Sequence, residues 1–141
     1  MKHTVPDCPL CAPQTAASLL WQDDFCRVIA VDDADYPGFC RVILARHVRE
    51  MSDLPEDEQL RLMRIVCAVE QVVRECTGAD KINLASFGNM VPHLHWHVIP
   101  RWQDDCNFPE AIWAPRQRAG AARAPVDRER LRASLATALG A

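Results

Sequence analysis

The 141-residue sequence predicts an α+β fold, with a mainly antiparallel β-sheet of about five strands, one long helix and a short C-terminal helix. Three observations lead there. Short β-branched and apolar runs, bounded by turn residues, occur before residue 46 and again after residue 80. One long stretch with helical periodicity lies between the two sets. The strands are otherwise consecutive, which favours antiparallel neighbours over alternating β-α-β units.

Residues 1–16 are rich in Pro, Cys and Ala and read as an irregular arm. Strands follow at Ser18–Gln22 and Phe25–Val31, with Asp23-Asp24 at the turn. Asp32-Asp33-Ala34-Asp35-Tyr36-Pro37-Gly38 is a polar turn, and Cys40–Arg46 is a third strand. Pro55 suits the first helical position, Glu56, Asp57 and Glu58 complement the helix dipole, and Gly78 supplies the stop. Leu60, Met63, Cys67, Val69, Val73 and Cys76 give that helix an apolar face. Lys81–Phe87 and Leu94–Pro100 are the last two strands, and Val126–Leu139 is the short terminal helix. Residues 1–113 read as the domain, and residues 114–141 as an Ala/Arg-rich extension.

Composition narrows the function. An apolar content of 49% with 25% charged residues is that of a globular domain, and a formal net charge of −3 gives no reason to expect nucleic-acid binding. The C-terminal arginines, Arg116 to Arg132, are read as a solvated surface. No run reaches the roughly 18 apolar residues needed to span a membrane, and Met1 to Cys11 lack a signal-peptide core. A cytoplasmic protein with reduced thiols is the expectation. Cys26, Cys40, Cys67 and Cys76 lie in apolar segments and read as small core residues, whereas Cys8-Pro9-Leu10-Cys11 has metal-ligand spacing.

The densest chemical signal is His93-Leu94-His95-Trp96-His97-Val98-Ile99. With a side-chain period of two, the imidazoles share one strand face, while Leu94, Trp96 and Val98 face the core. Such a face can ligate a metal through neutral imidazoles, or it can attack phosphorus through one of them.

The pattern His–apolar–His–apolar–His–apolar–apolar resembles the signature of the histidine triad (HIT) family. Gly88-Asn89-Met90-Val91 before it, Pro100-Arg101 after it, and the segments Asp32 to Leu44 and Leu44 to His47 extend the similarity across about residues 8–101. The resemblance implies a nucleotide hydrolase or nucleotidyl transferase acting on a dinucleoside polyphosphate or a nucleoside phosphoramidate. It makes His95 the nucleophile of a covalent nucleotidyl-histidine intermediate, gives His97 the phosphate and leaving group, and sets His93 beside them. It assigns Asn89 to a phosphate oxygen or the leaving group, Asp32 or Asp33 to the ribose hydroxyls, and a homodimer to the assembly. Met90 stands where many members carry a hydroxyl residue, and Phe39 where some branches carry histidine. The alternatives are a non-catalytic nucleotide-binding regulatory module and a metal enzyme using all three triad histidines as ligands.

Cys8, Cys11, His47 and His93 are the right ligand types and number for a closed tetrahedral zinc site, similar to that of some family members. Such a structural zinc would pin the arm to the sheet; no organic cofactor is expected. Trp96 reads as core. Trp113 is read as closing the pocket, crossing a dimer interface or packing on its own domain.

Overall fold

The computed structural model describes residues 4–140. Strands β1 (Leu19–Gln22), β2 (Cys26–Ala30) and β3 (Cys40–Leu44) are followed by a 3-10 turn at Met51–Asp53 and helix α1 (Glu56–Thr77). Strands β4 (Lys81–Ala85) and β5 (His95–Arg101) come next, and helix α2 (Arg128–Leu139) is last. The five strands form one sheet in the order β1-β2-β3-β5-β4, and every pairing is antiparallel. The α+β expectation holds. The described helices include none long and apolar enough to cross a membrane.

Local chemistry explains the elements. The Asp23 carboxylate accepts from the N–H groups of Phe25 (2.9 Å) and Cys26 (2.8 Å), an Asx turn that closes the first hairpin. Helix α1 opens with Glu56, Asp57 and Glu58 near its positive pole. It ends on Gly78, whose φ of 63° is left-handed and whose N–H donates to the Arg74 carbonyl at 3.0 Å. Gly38 is constrained from outside. A Cβ there would stand 2.5 Å from Thr77 Cγ2, so the β2–β3 turn closes directly on the end of α1.

The two faces of the sheet differ. Val28, Val42 and Val98 share one core with Leu62, Val66, Val69 and Val73 of α1 and with Leu131 and Leu135 of α2. Each fully buried Val, Ile or Leu contributes about 1.5–3 kcal/mol. The buried face of α1 differs in part from the expected one. The buried stripe of α1 runs through Leu62, Ile65, Val66, Val69, Val72 and Val73, while Leu60 and Cys67 are exposed. Val69 and Val73 of the expected face are buried and Met63 and Cys76 pack partly buried on the same core, so the buried stripe is that face rotated toward Ile65, Val66 and Val72.

The other face carries two small apolar clusters, one toward each end. Cys8 and Leu10 of the arm pack on Ile29 and Ile43 at one end. Tyr36, Phe39, Ile99 and Cys106 form a second small cluster at the other. His95, His97 and Arg41 lie between these clusters, on β5 and its neighbour β3.

Candidate active site and metal centre

The triad divides. Strand β5 begins at His95, so His93 precedes it instead of sharing it. The His93 ring is fully buried and turned toward the arm, with Nδ1 at 3.5 Å from Cys8 Sγ and 3.4 Å from Cys11 Sγ. His47 joins them, its Nδ1 being 3.4 Å from Cys11 Sγ. One donor atom from each of Cys8, Cys11, His47 and His93 falls within 4.8 Å of every other.

This donor set fits a tetrahedral cation. Sulfur at about 2.3 Å and nitrogen at about 2.0–2.1 Å from zinc stand about 3.5 Å apart along a tetrahedral edge. The sulfur–nitrogen distances of 3.4–3.5 Å match that spacing. His93 Nε2 donates to the Leu44 carbonyl at 2.6 Å, which leaves Nδ1 bare toward the thiols. Turns in the arm place both cysteines there, with Cys8 N–H donating to Val5 and Cys11 N–H to Cys8, each at 3.1 Å. Arg27 of β2 ties the arm down by donating to the Leu10 and Ala12 carbonyls.

His95 and His97 make the other half. Their ring centroids are 4.9 Å apart and the rings are nearly perpendicular. His95 Nδ1 donates to the His93 carbonyl at 2.6 Å. That bond fixes the neutral tautomer, with the proton on Nδ1 and a free lone pair on Nε2. Burial depresses the His95 pKa below its ordinary value, and the Arg41 charge adds to this. Burial, His95 and Arg41 together bring His97 down to about 4. Both imidazoles are therefore neutral at pH 7.

The rings open into a cavity of about 430 Å³ lined by Leu10, Arg41, Phe87, Asn89, Val91 and Trp113 around the two histidines. That volume suits a small-molecule ligand. Trp113 stands edge-on to His97 at 5.1 Å and to Phe87 at 5.0 Å, so it closes one side of the pocket. Trp96 packs against the core from the opposite face of β5.

The match to the HIT domain family covers residues 12–104. The chain belongs to the HIT family. A histidine triad protein from Bradyrhizobium japonicum shares this HIT fold with a TM-score of 0.70 and 29% identity, over 86% of this chain and 89% of that one. The AP-4-A phosphorylase of Mycobacterium tuberculosis is 32% identical over 78 residues, which are 51% of this chain and 40% of that protein. Adenylylsulfatase HINT3 of Arabidopsis thaliana is 25% identical over 112 residues, 76% of this chain and 54% of that protein. The chain thus spans about half or less of the length of these curated relatives.

Within this HIT domain, the residues singled out in the sequence are not all brought together. Asn89 lines the histidine cavity. Asp32 and Asp33 instead line a separate groove with Gly38, Arg123 and Arg128. The Asp32 carboxylate pairs with Arg128 of α2, and Asp33 accepts from the Asp35 N–H at 3.0 Å. Met90 is 95% exposed at the rim. Arg41, a wall of the cavity, escaped the sequence reading. Its only signal there is a charge between the apolar Cys40 and Val42, on the strand face that the core does not take.

Proposed function

We propose that the protein is a nucleotide hydrolase or nucleotidyl transferase whose nucleophile is His95. The observation that carries this reading is the 2.6 Å bond from His95 Nδ1 to the His93 carbonyl, because it leaves Nε2 as a bare nucleophile facing the cavity. Nε2 attacks the phosphorus of a nucleoside phosphate, a P–N bond forms, and the P–O or P–N bond to the leaving group breaks. Water, or another acceptor, then attacks the same phosphorus. Its proton leaves, the P–Nε2 bond breaks, and His95 returns to the neutral state.

His97 lies against His95 and reaches the phosphoryl oxygens or the leaving group, and Asn89 donates to phosphate from the cavity wall. The activities that name these relatives, on AP-4-A and on adenylyl sulfate, support an adenylyl group as the part transferred. Cys8, Cys11, His47 and His93 would hold zinc, whose chemistry is structural, fixing the segment that carries the His93 carbonyl. A cytoplasmic homodimer completes the reading.

The test is turnover of a panel of diadenosine tetraphosphate, adenylyl sulfate and adenosine phosphoramidate by wild type and His95→Ala. Turnover should fall by about 10³-fold or more in the variant. Intact-protein mass spectrometry, run without acid, should detect an adenylyl adduct on wild type alone. Unchanged turnover in His95→Ala rejects the proposal.

A further inference from the structure

One side chain in the histidine cavity carries a positive charge that no described residue neutralises. Arg41 faces His97 directly in the β3–β5 ladder, where opposed Cβ atoms stand about 4.5–5.5 Å apart. Among the cavity-lining residues it is the one cation, the others being apolar, amide or neutral imidazole. Its Nε is buried without a hydrogen-bond partner. Among the described residues it forms no ion pair, and its contact is the Phe39 ring, 5.8 Å from the guanidinium carbon.

Other arginines show how the fold treats such groups when they are structural. Arg27 also has a buried, unpaired Nε, but its terminal nitrogen donates to two carbonyls of the arm. Arg101 is enclosed by a carboxylate, an amide and a carbonyl. Arg41 has no such partners, and burial lowers its pKa, so holding it there is unfavourable without an anion. His97 Nδ1, across the ladder, is likewise buried and unpaired. Two polar groups lacking partners in one cavity mark a place for an oxyanion.

Its position along the site says which oxyanion. His95 is opposed by apolar Ile43, next to Leu10 and Val91. His97 is opposed by Arg41. A phosphoryl group over His95 therefore has an apolar end and a cationic end. Building on the assignment of His95 as nucleophile, we propose that Arg41 binds an anionic leaving group, a polyphosphate chain or a sulfate, and so selects substrates that carry charge beyond the scissile phosphorus. Departure of such a group breaks its P–O bond as the P–Nε2 bond forms, and it leaves with the electron pair. A fixed cation stabilises that charge as it develops.

The test uses three substrates that transfer the same adenylyl group: adenosine phosphoramidate, adenylyl sulfate and diadenosine tetraphosphate. Wild type, Arg41→Leu, Arg41→Gln and Arg41→Lys are compared by kcat/KM, with thermal unfolding as the check on folding. Arg41→Leu should keep or raise the unfolding midpoint, because an unneutralised charge is removed. Its loss of kcat/KM on the sulfate and tetraphosphate should exceed its loss on the phosphoramidate by about tenfold or more, with Arg41→Lys recovering part of the difference. Equal losses on all three would assign Arg41 to the shared adenylyl part, and no loss would assign it nowhere; either result overturns the proposal. A titration with inorganic tripolyphosphate, followed by NMR, separates this proposal from the parent reading. Weaker binding by Arg41→Leu than by wild type supports the anion site even if no substrate turns over, and equal binding rejects it.

Discussion

Two arginines on the same face of one sheet, Arg101 buried and Arg41 half-buried, have opposite surroundings. Arg101, on β5, is 2% exposed, and its guanidinium is satisfied on every side. It donates to both oxygens of Asp105 (2.9 and 3.1 Å), to Asn83 Oδ1 (2.7 Å) and to the Glu110 carbonyl (2.7 Å). Asp105 in turn accepts from the N–H groups of Trp102, Asn107 and Phe108 and from the Tyr36 hydroxyl. Arg41, on β3, has an aromatic face and, among the described residues, no acid. A closed polar network fixes the segment after β5 onto the sheet, whereas an open one leaves binding capacity for a ligand. The contrast separates scaffold from site without reference to any relative.

The largest effect should come from breaking the closed network. Burial alone would raise the Asp105 pKa, but Arg101 and three backbone N–H groups hold it well below the usual carboxylate range. Asp105→Ala leaves Arg101 buried without a counter-charge, and it should cost about 3–5 kcal/mol of stability in urea unfolding. Arg41→Leu, in the same assay, should cost nothing. If the two substitutions destabilise equally, the distinction between the two arginines fails.

This contrast also marks what the sequence could and could not reveal. The strands, α1 and the shared face of His95 and His97 are local, because a period of two or 3.6 is written in neighbouring residues. The Cys8, Cys11, His47 and His93 set was legible for another reason, since few other chemistries use those side chains together. Arg41 was not legible, because its role depends on β3 lying next to β5, a long-range pairing that no local pattern encodes. The surroundings of Asp32 and Asp33 were hidden for the same reason: Asp32 pairs with Arg128, 96 residues away, and both carboxylates line a groove apart from the histidine cavity. The exit of His93 from β5 is likewise non-local, imposed by thiols 82 and 85 residues away.

The metal centre is a second closed set, and its disruption should have an intermediate effect. Wild-type protein purified without a tag and supplied with zinc should hold one ion per chain by elemental analysis, and Cys11→Ser should hold little. Stripping the ion should lower the thermal midpoint by about 5 °C or more, since binding to the folded state alone is folding free energy. Absence of zinc from wild type, with an unchanged midpoint on chelation, would break this half of the comparison. It would leave the cavity around His95 untouched.

The last effect is a pH dependence that belongs to the open site. His97 is held neutral by burial, by His95 beside it and by Arg41 across the ladder, with the Phe39, Phe87 and Trp113 rings around it. Its folded pKa of about 4 lies below the ordinary 6.5, so between those values the unfolded chain binds more protons than the folded one. The contribution is therefore fully present above about pH 6.5 and is lost as the pH falls toward 4. Urea unfolding should show stability declining over that window, and His97→Asn should decline less. Arg41→Leu should also decline less, because removing one of the three causes lets the His97 pKa rise, a shift readable directly by NMR titration of the ring. If the His97 pKa does not move in Arg41→Leu, the guanidinium lies too far from the imidazole to act on any charge that develops there.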